Sequence, residues 1–232
     1  MATPYKNTAK LLKFLSWPVQ NEELYQEALT HSSYAYEIEG LCSNERLEFL
    51  GDAALELIMS AYFFEMFPDA SEGRLTLMRH NVVNEKTLAK IARDINLGMY
   101  IKLGKGEFLS GGAEKASVLA DALEALIGAL FLDQGYQASV PLVIDLFKPV
   151  LKAVKQGNFP LMDYKTMLQE ICQSKGSKPP VYQITAEYGP PHDKAFEAVV
   201  KLDSKIKGVG TGKSKKEAEQ SAAKAAWELI EL

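Results

Sequence analysis

The hydrophobic period of this chain changes once, near residue 157, and that change limits what the chain can fold into. Through residues 22–35, 45–66, 74–94, 116–132 and 138–154, apolar side chains recur every three or four positions, as in amphipathic helices. Turn signals at Pro68-Asp69, Gly98, the loop LGKGEFLSGG and Gly135 separate these runs. Helical spacing then stops in KQGNFPLMD (155–163). Beyond it, residues 164–175 suit a helix. VYQITAE (181–187), KAFEAVVKL (194–202) and KIKGVGTG (205–212) suit the short strands of a meander. KSKKEAEQSAAKAAWELI (213–230) suits an alanine-rich amphipathic helix. The expected fold is multidomain: an all-α domain over 1–156, a linker over 157–162, and an α+β domain of order α-β-β-β-α over 163–232.

Several function classes drop out. The most apolar segment, LADALEALIGALFLD, carries Asp121 and Glu124 within it, so no membrane span is expected. MATPYKNTAKLLKFLSW lacks the long apolar core of a secretion signal, and Cys42 and Cys172 are too few for a disulfide framework. A reducing cytoplasmic location is expected. Charge is uneven: residues 1–162 carry 15 basic against 20 acidic side chains, and residues 163–232 carry 11 against 10 with several lysines clustered.

The acids are placed more tellingly than they are counted. In NERLEFLGDAALE (44–56), Glu45, Glu48, Asp52 and Glu56 occupy a sector of roughly 80° on one side of a helix. Leu47, Leu50, Ala54 and Leu57 fall on the other, core-facing side. In LADALEALIGALFL (119–132), Asp121 and Glu124 share a face, and Gly128 stands where a second helix could approach closely. Two readings are open. The stripes are solvated helix faces, or the helices cross with Glu48, Asp52, Asp121 and Glu124 together. Converged carboxylates repel unless cations neutralise them, and an all-oxygen set suits Mg²⁺ or Mn²⁺ better than zinc.

NERLEFLGDAALE resembles the signature of the ribonuclease III family, and LADALEALIGALFLD resembles its second acidic motif. LTHSSYA (29–35) and SEGRLTLMRHNVVNEKTLA (71–89) add to the likeness, which covers essentially the whole chain. The resemblance implies an endoribonuclease that hydrolyses double-stranded RNA with Mg²⁺, Mn²⁺ substituting. Its products would carry 5′-phosphate and 3′-hydroxyl ends with short 3′ overhangs, and its roles would lie in ribosomal RNA maturation and turnover of structured messages. It marks Glu48, Asp52, Asp121 and Glu124 as catalytic metal ligands, with Glu124 the most selectively required for cleavage. Glu45 and Glu72 match accessory acids, and Glu56 matches nothing in the pattern. Phe49 corresponds to a ring inserted into a second subunit, which implies a homodimer through the N-terminal domain.

The C-terminal part resembles the double-stranded-RNA-binding domain of bacterial members. Lys213, Lys215 and Lys216 gather at a helix start, where ammonium groups join free N–H groups in gripping phosphates. His192, in the turn EYGPPHDKAF, and Tyr164, Lys165, Thr166, Gln169 and Glu170 match minor-groove contacts. Glu219 replaces the lysine that many such domains carry, a departure expected to weaken a phosphate contact. Other motifs fail: GVGTGKS has Lys207 where a Walker loop needs glycine, and His31, in LTHSSYA, suits a structural hydrogen bond better than metal ligation. Two rivals remain: a duplex-RNA binder without catalysis, and a helical Mg²⁺ hydrolase of small nucleotides.

Overall fold

A computed structural model describes residues 7–156, 164–174, 176–190, 193–203 and 205–230. Residues 157–162, expected to form the linker, lie outside them. The chain divides into two compact units, Met1–Pro160 and Leu161–Leu232.

The first unit is helical: α1 (Thr8–Leu15), α2 (Glu22–Ala28), α3 (Ser32–Tyr36), α4 (Glu45–Met66), α5 (Glu72–Val82), α6 (Glu85–Asp94), α7 (Lys105–Leu109) and α8 (Ala116–Lys155). The core centres on α8, whose residues 118–130 are buried except for half-buried Asp121 and Glu124. Against it lie Leu55, Ile58, Met59 and Phe63 of α4 and Leu88, Ile91 and Ala92 of α6. Asp133 ties α2 to α8, accepting hydrogen bonds from the Gln20 and Asn21 N–H groups (3.0 and 2.8 Å) and the Tyr25 hydroxyl (2.9 Å).

Local caps explain where helices depart from the expected runs. The run 74–94 divides because the Asn84 side chain serves two helices. Its amide donates to the His80 and Asn81 carbonyls, closing α5, while its oxygen accepts from the Thr87 N–H, opening α6. The run 22–35 is broken at Leu29–His31, where Thr30 forms a parallel bridge with Lys102. LGKGEFLSGG is not all loop: Glu37 accepts from the Lys105 N–H at 2.7 Å and starts α7 there. The two expected runs 116–132 and 138–154 are two helical segments of α8, separated as expected at Gly135, whose φ of 75° and ψ of 169° are not helical.

The second unit holds α9 (Tyr164–Ser174), β1 (Val181–Tyr188), β2 (Ala195–Leu202), β3 (Lys205–Gly212) and α10 (Lys215–Ile230). The strands form an antiparallel sheet in the order β1-β2-β3. α10 lies directly on β3. A Cβ at Gly208 or Gly210 would overlap the backbone at Ala222, and one at Gly212 would crowd Ala218. Alternate glycines on the strand and Ala218, Ala222 and Ala226 on the helix thus set a short separation. Ser214 caps α10 by accepting from the Glu217 N–H, and the Glu217 carboxylate accepts from the Lys213 N–H. The helix therefore begins at Lys215 rather than at the expected residue 213. No helix among the described residues is long and apolar enough to cross a membrane.

Candidate metal centre and basic face

α4 and α8 cross at two glycines that face each other. A Cβ on Gly51 would overlap the Glu124 carbonyl, and one on Gly128 would overlap the Leu47 carbonyl, so the backbones touch. Glu48 lies one turn before Gly51, and Glu124 one turn before Gly128. Carboxylate oxygens of Glu48, Asp121 and Glu124 consequently lie within 4.8 Å of one another, all half-buried. Asp52 is exposed and stands at the rim of this group. It still belongs electrostatically, because it is the leading charge acting on Glu124.

The carboxyls disturb one another as clustered acids should. Burial, then the charges of Asp52, Asp121 and Glu48, push the Glu124 pKa up to about 8. Glu48 is raised by burial first, then by Asp121, Glu45 and Asp52. Burial also raises Asp121; His31 pulls it back and Glu85 pushes it up. The donor set contains oxygen alone and carries more negative charge than the half-buried site sustains by itself. Both properties fit a hard divalent cation.

The remaining predicted acids divide. Glu45 is exposed and accepts from the Ser43 hydroxyl at 2.7 Å, and Glu72 accepts from the Thr76 hydroxyl at 3.0 Å. Neither belongs to the three-carboxylate group. Glu56 faces Arg79 across 4.0 Å, and Arg79 also donates to the Ser60 hydroxyl. Two neighbours of Asp121, His31 from the start of α3 and Glu85 from the start of α6, carry no spacing signal in the sequence.

Phe49 is 81% exposed. Leu57, expected on the core side, is 55% exposed, and Phe64 is 71% exposed. These three side chains fall within about 80° of one another around α4, so the helix presents an apolar stripe beside its acidic one. The departure at Leu57 arises because α8 covers only the sector around Leu47, Ala54, Leu55 and Ile58.

In the second unit, Lys213, Lys215 and Lys216 are exposed, as are Thr166 and Gln169 on α9. The Lys215 ammonium lies 5.9 Å from the centre of the Phe196 ring and acts on Glu187, which pairs with Lys194 beside the β1–β2 turn. The start of α10 and that turn therefore share one end of the sheet. His192 and the Glu170 side chain lie outside the described residues. Glu219 takes the Lys165 ammonium at 2.6 Å, joining α10 to α9, while that ammonium also sits over the Tyr182 ring. Cys42 is exposed and Cys172 buried, and neither is in a disulfide.

Known proteins supply independent comparisons. A family model described as Ribonuclease-III-like matches residues 21–150, and one described as a double-stranded RNA binding motif matches residues 164–230. The chain is 49% identical over 219 residues to Ribonuclease 3 of Desulforamulus reducens, covering 94% of this chain and 89% of that protein. It is likewise 49% identical over 208 residues to Ribonuclease 3 of Streptomyces coelicolor, covering 89% and 74%. Among solved structures, the nuclease domain of ribonuclease III from Campylobacter jejuni is similar, with 41% identity and a TM-score of 0.58. That match covers 62% of this chain and 97% of the other. In that protein a structurally flexible region is involved in dimer formation.

Proposed function

The chain belongs to the ribonuclease III family, as a double-stranded-RNA endoribonuclease that uses divalent metal, and we propose that the ion is Mg²⁺, held by Glu48, Asp121 and Glu124 with Asp52 at the rim. The observation that carries this reading is the convergence of three half-buried carboxylates, with Glu124 driven to about 8. A bound cation would neutralise these acids and polarise the scissile phosphate. The chain's own contribution is placement. The glycine crossing holds Glu48 against Glu124, burial keeps competing water sparse, and Glu124 carries a proton near neutral pH until a cation displaces it. Water attacks phosphorus in line with the departing 3′ oxygen, leaving a 5′-phosphate and a 3′-hydroxyl.

Lys213, Lys215 and Lys216, with Thr166, Gln169, Glu170 and His192, are the proposed contacts to A-form RNA, gripping phosphates and minor-groove hydroxyls rather than reading bases. Phe49 and the apolar stripe of α4 support a two-fold dimer, in which paired sites cut both strands and leave short 3′ overhangs. Glu45 and Glu72 are proposed as accessory acids. The substrates proposed are ribosomal RNA precursors and structured messages in the cytoplasm.

The decisive experiment compares wild type with Glu124→Gln on long duplex RNA, in Mg²⁺ and then Ca²⁺, following binding and cutting separately. The variant is expected to bind like wild type and cut at least 100-fold more slowly, and Ca²⁺ to support binding without turnover. Full activity of the variant would overturn the metal assignment.

A further inference from the structure

We propose that Lys165 and Glu219 are a pair of positioning residues that sets the preference for RNA over DNA duplexes, by holding the exposed face of α9 where it meets ribose 2′-hydroxyls. The inference rests on the reading above that Thr166 and Gln169 enter a minor groove. The family resemblance marks Lys165 as one more groove contact, yet its ammonium is engaged within the protein. It lies 2.6 Å from a Glu219 carboxylate oxygen and 4.6 Å from the centre of the Tyr182 ring. One cation therefore joins α9 to α10 and to β1. The two charged side chains are only 32% and 24% exposed, so water competes weakly for the contact.

The pair sits between the two RNA-facing elements of this unit. Lys165 directly precedes Thr166 and lies one turn before Gln169; both of these are exposed, while Met167, Leu168 and Cys172 are buried. Glu219 lies one turn beyond Lys215 and Lys216 on α10. Its neighbour Ala218 is fully buried against Gly212, so this turn of α10 is seated on the sheet, and the ion pair extends that fixed seat to α9. Phosphates are common to both kinds of duplex, whereas 2′-hydroxyls belong to RNA alone. A shift of α9 therefore costs RNA its hydroxyl contacts and leaves the lysine grip on phosphates in place. Charge alone has the opposite sign: Glu219 repels nucleic acid, and removing it would strengthen binding to either duplex.

The test uses that difference in sign. Binding of the full-length protein to an RNA duplex, and to a DNA duplex of the same sequence, is measured by fluorescence anisotropy over a salt series. Chelator prevents cutting, and thermal melting checks folding. Glu219→Gln is expected to bind RNA about 10-fold more weakly, the loss of about two misaligned hydrogen bonds, and to bind DNA no more weakly than wild type. Lys165→Met should repeat the RNA loss with an unchanged salt slope, because hydroxyl contacts release no counterions. A slope flatter by about 1 would make Lys165 a phosphate contact and overturn the inference. Exchanging the charges, Lys165→Glu with Glu219→Lys, keeps an ion pair and should regain part of the RNA affinity; it also serves as the test if Glu219→Gln fails to fold. RNA affinity at or above wild type in a folded Glu219→Gln protein would overturn the proposal, as would equal losses on RNA and DNA. If Thr166→Ala with Gln169→Ala left RNA affinity unchanged, the minor-groove reading of α9 itself would fall.

Discussion

Glu124 sits among Glu48, Asp52 and Asp121 and is partly withdrawn from water, so its charged form is costly until a cation arrives. The consequence for stability has a definite sign. Between the ordinary value of 4.5 and about 8, the folded state holds a proton that the unfolded chain has released. Metal-free stability must therefore fall as pH rises through that window. Glu124→Gln removes the conflict, and in a chelator at pH 9 it should be more stable than wild type by about 2 kcal/mol, allowing for solvent screening. The difference should vanish near pH 4 and reverse in sign with saturating Mg²⁺; denaturant melts at three pH values check it. A variant no more stable than wild type at pH 9 would mean that the carboxylates do not crowd. Helical spacing in the sequence places these acids on common faces, while the family resemblance, not the spacing, singled out these four. Their inequality was not legible there. That Asp52 is exposed while Glu124 is half-buried depends on the crossing of two helices 70 residues apart, which no local pattern encodes.

The α4–α8 crossing is where element-scale packing sets the chemistry. Gly128 announced close approach in the sequence; its reciprocal partner Gly51 did not, because a single helical glycine does not disclose what it faces. Gly51→Ala drives a methyl into the Glu124 carbonyl, so the helices must separate. The cost should be about 3 kcal/mol, at the upper end for overpacking, because the obstacle is backbone rather than a movable side chain. Mn²⁺ affinity should fall with it, since Glu48 and Glu124 ride on the separated segments. Thermal melts and metal titration of Gly51→Ala measure both effects, and unchanged affinity with lowered stability would show that the carboxylate cluster tolerates a wider crossing. The other helices teach the same lesson about range. Apolar period located α4 to the residue, whereas the division between α5 and α6 came from Asn84, a side chain that periodicity does not weigh.

At the scale of the whole molecule, the net charge of −4 should discourage binding to RNA, so affinity has to come from local arrangement. The exposed stripe of Phe49, Leu57 and Phe64 has a comparable logic for the proposed dimer: it is apolar area that one chain leaves bare and that a second chain would cover. Phe49→Asp should give a monomer by sedimentation at micromolar concentration, and an unchanged dimer would remove Phe49 from the interface. The change in hydrophobic period made the two-part organisation legible, while Leu57 shows that exposure on α4 required knowing how much of it α8 covers. For RNA, the exposed Lys213, Lys215 and Lys216 at the start of α10 concentrate positive charge where helix N–H groups already favour phosphate. Replacing all three by glutamate should weaken duplex binding at least 10-fold. If each lysine releases about one counterion, the slope of log affinity against log salt should flatten by about 2 to 3. The carboxylate cluster lies in the other unit and is untouched, so cleavage at saturating RNA should approach the wild-type rate. An unchanged salt slope would place the RNA-binding face elsewhere. A lost rate at saturation would instead show that these lysines also orient the duplex for cutting.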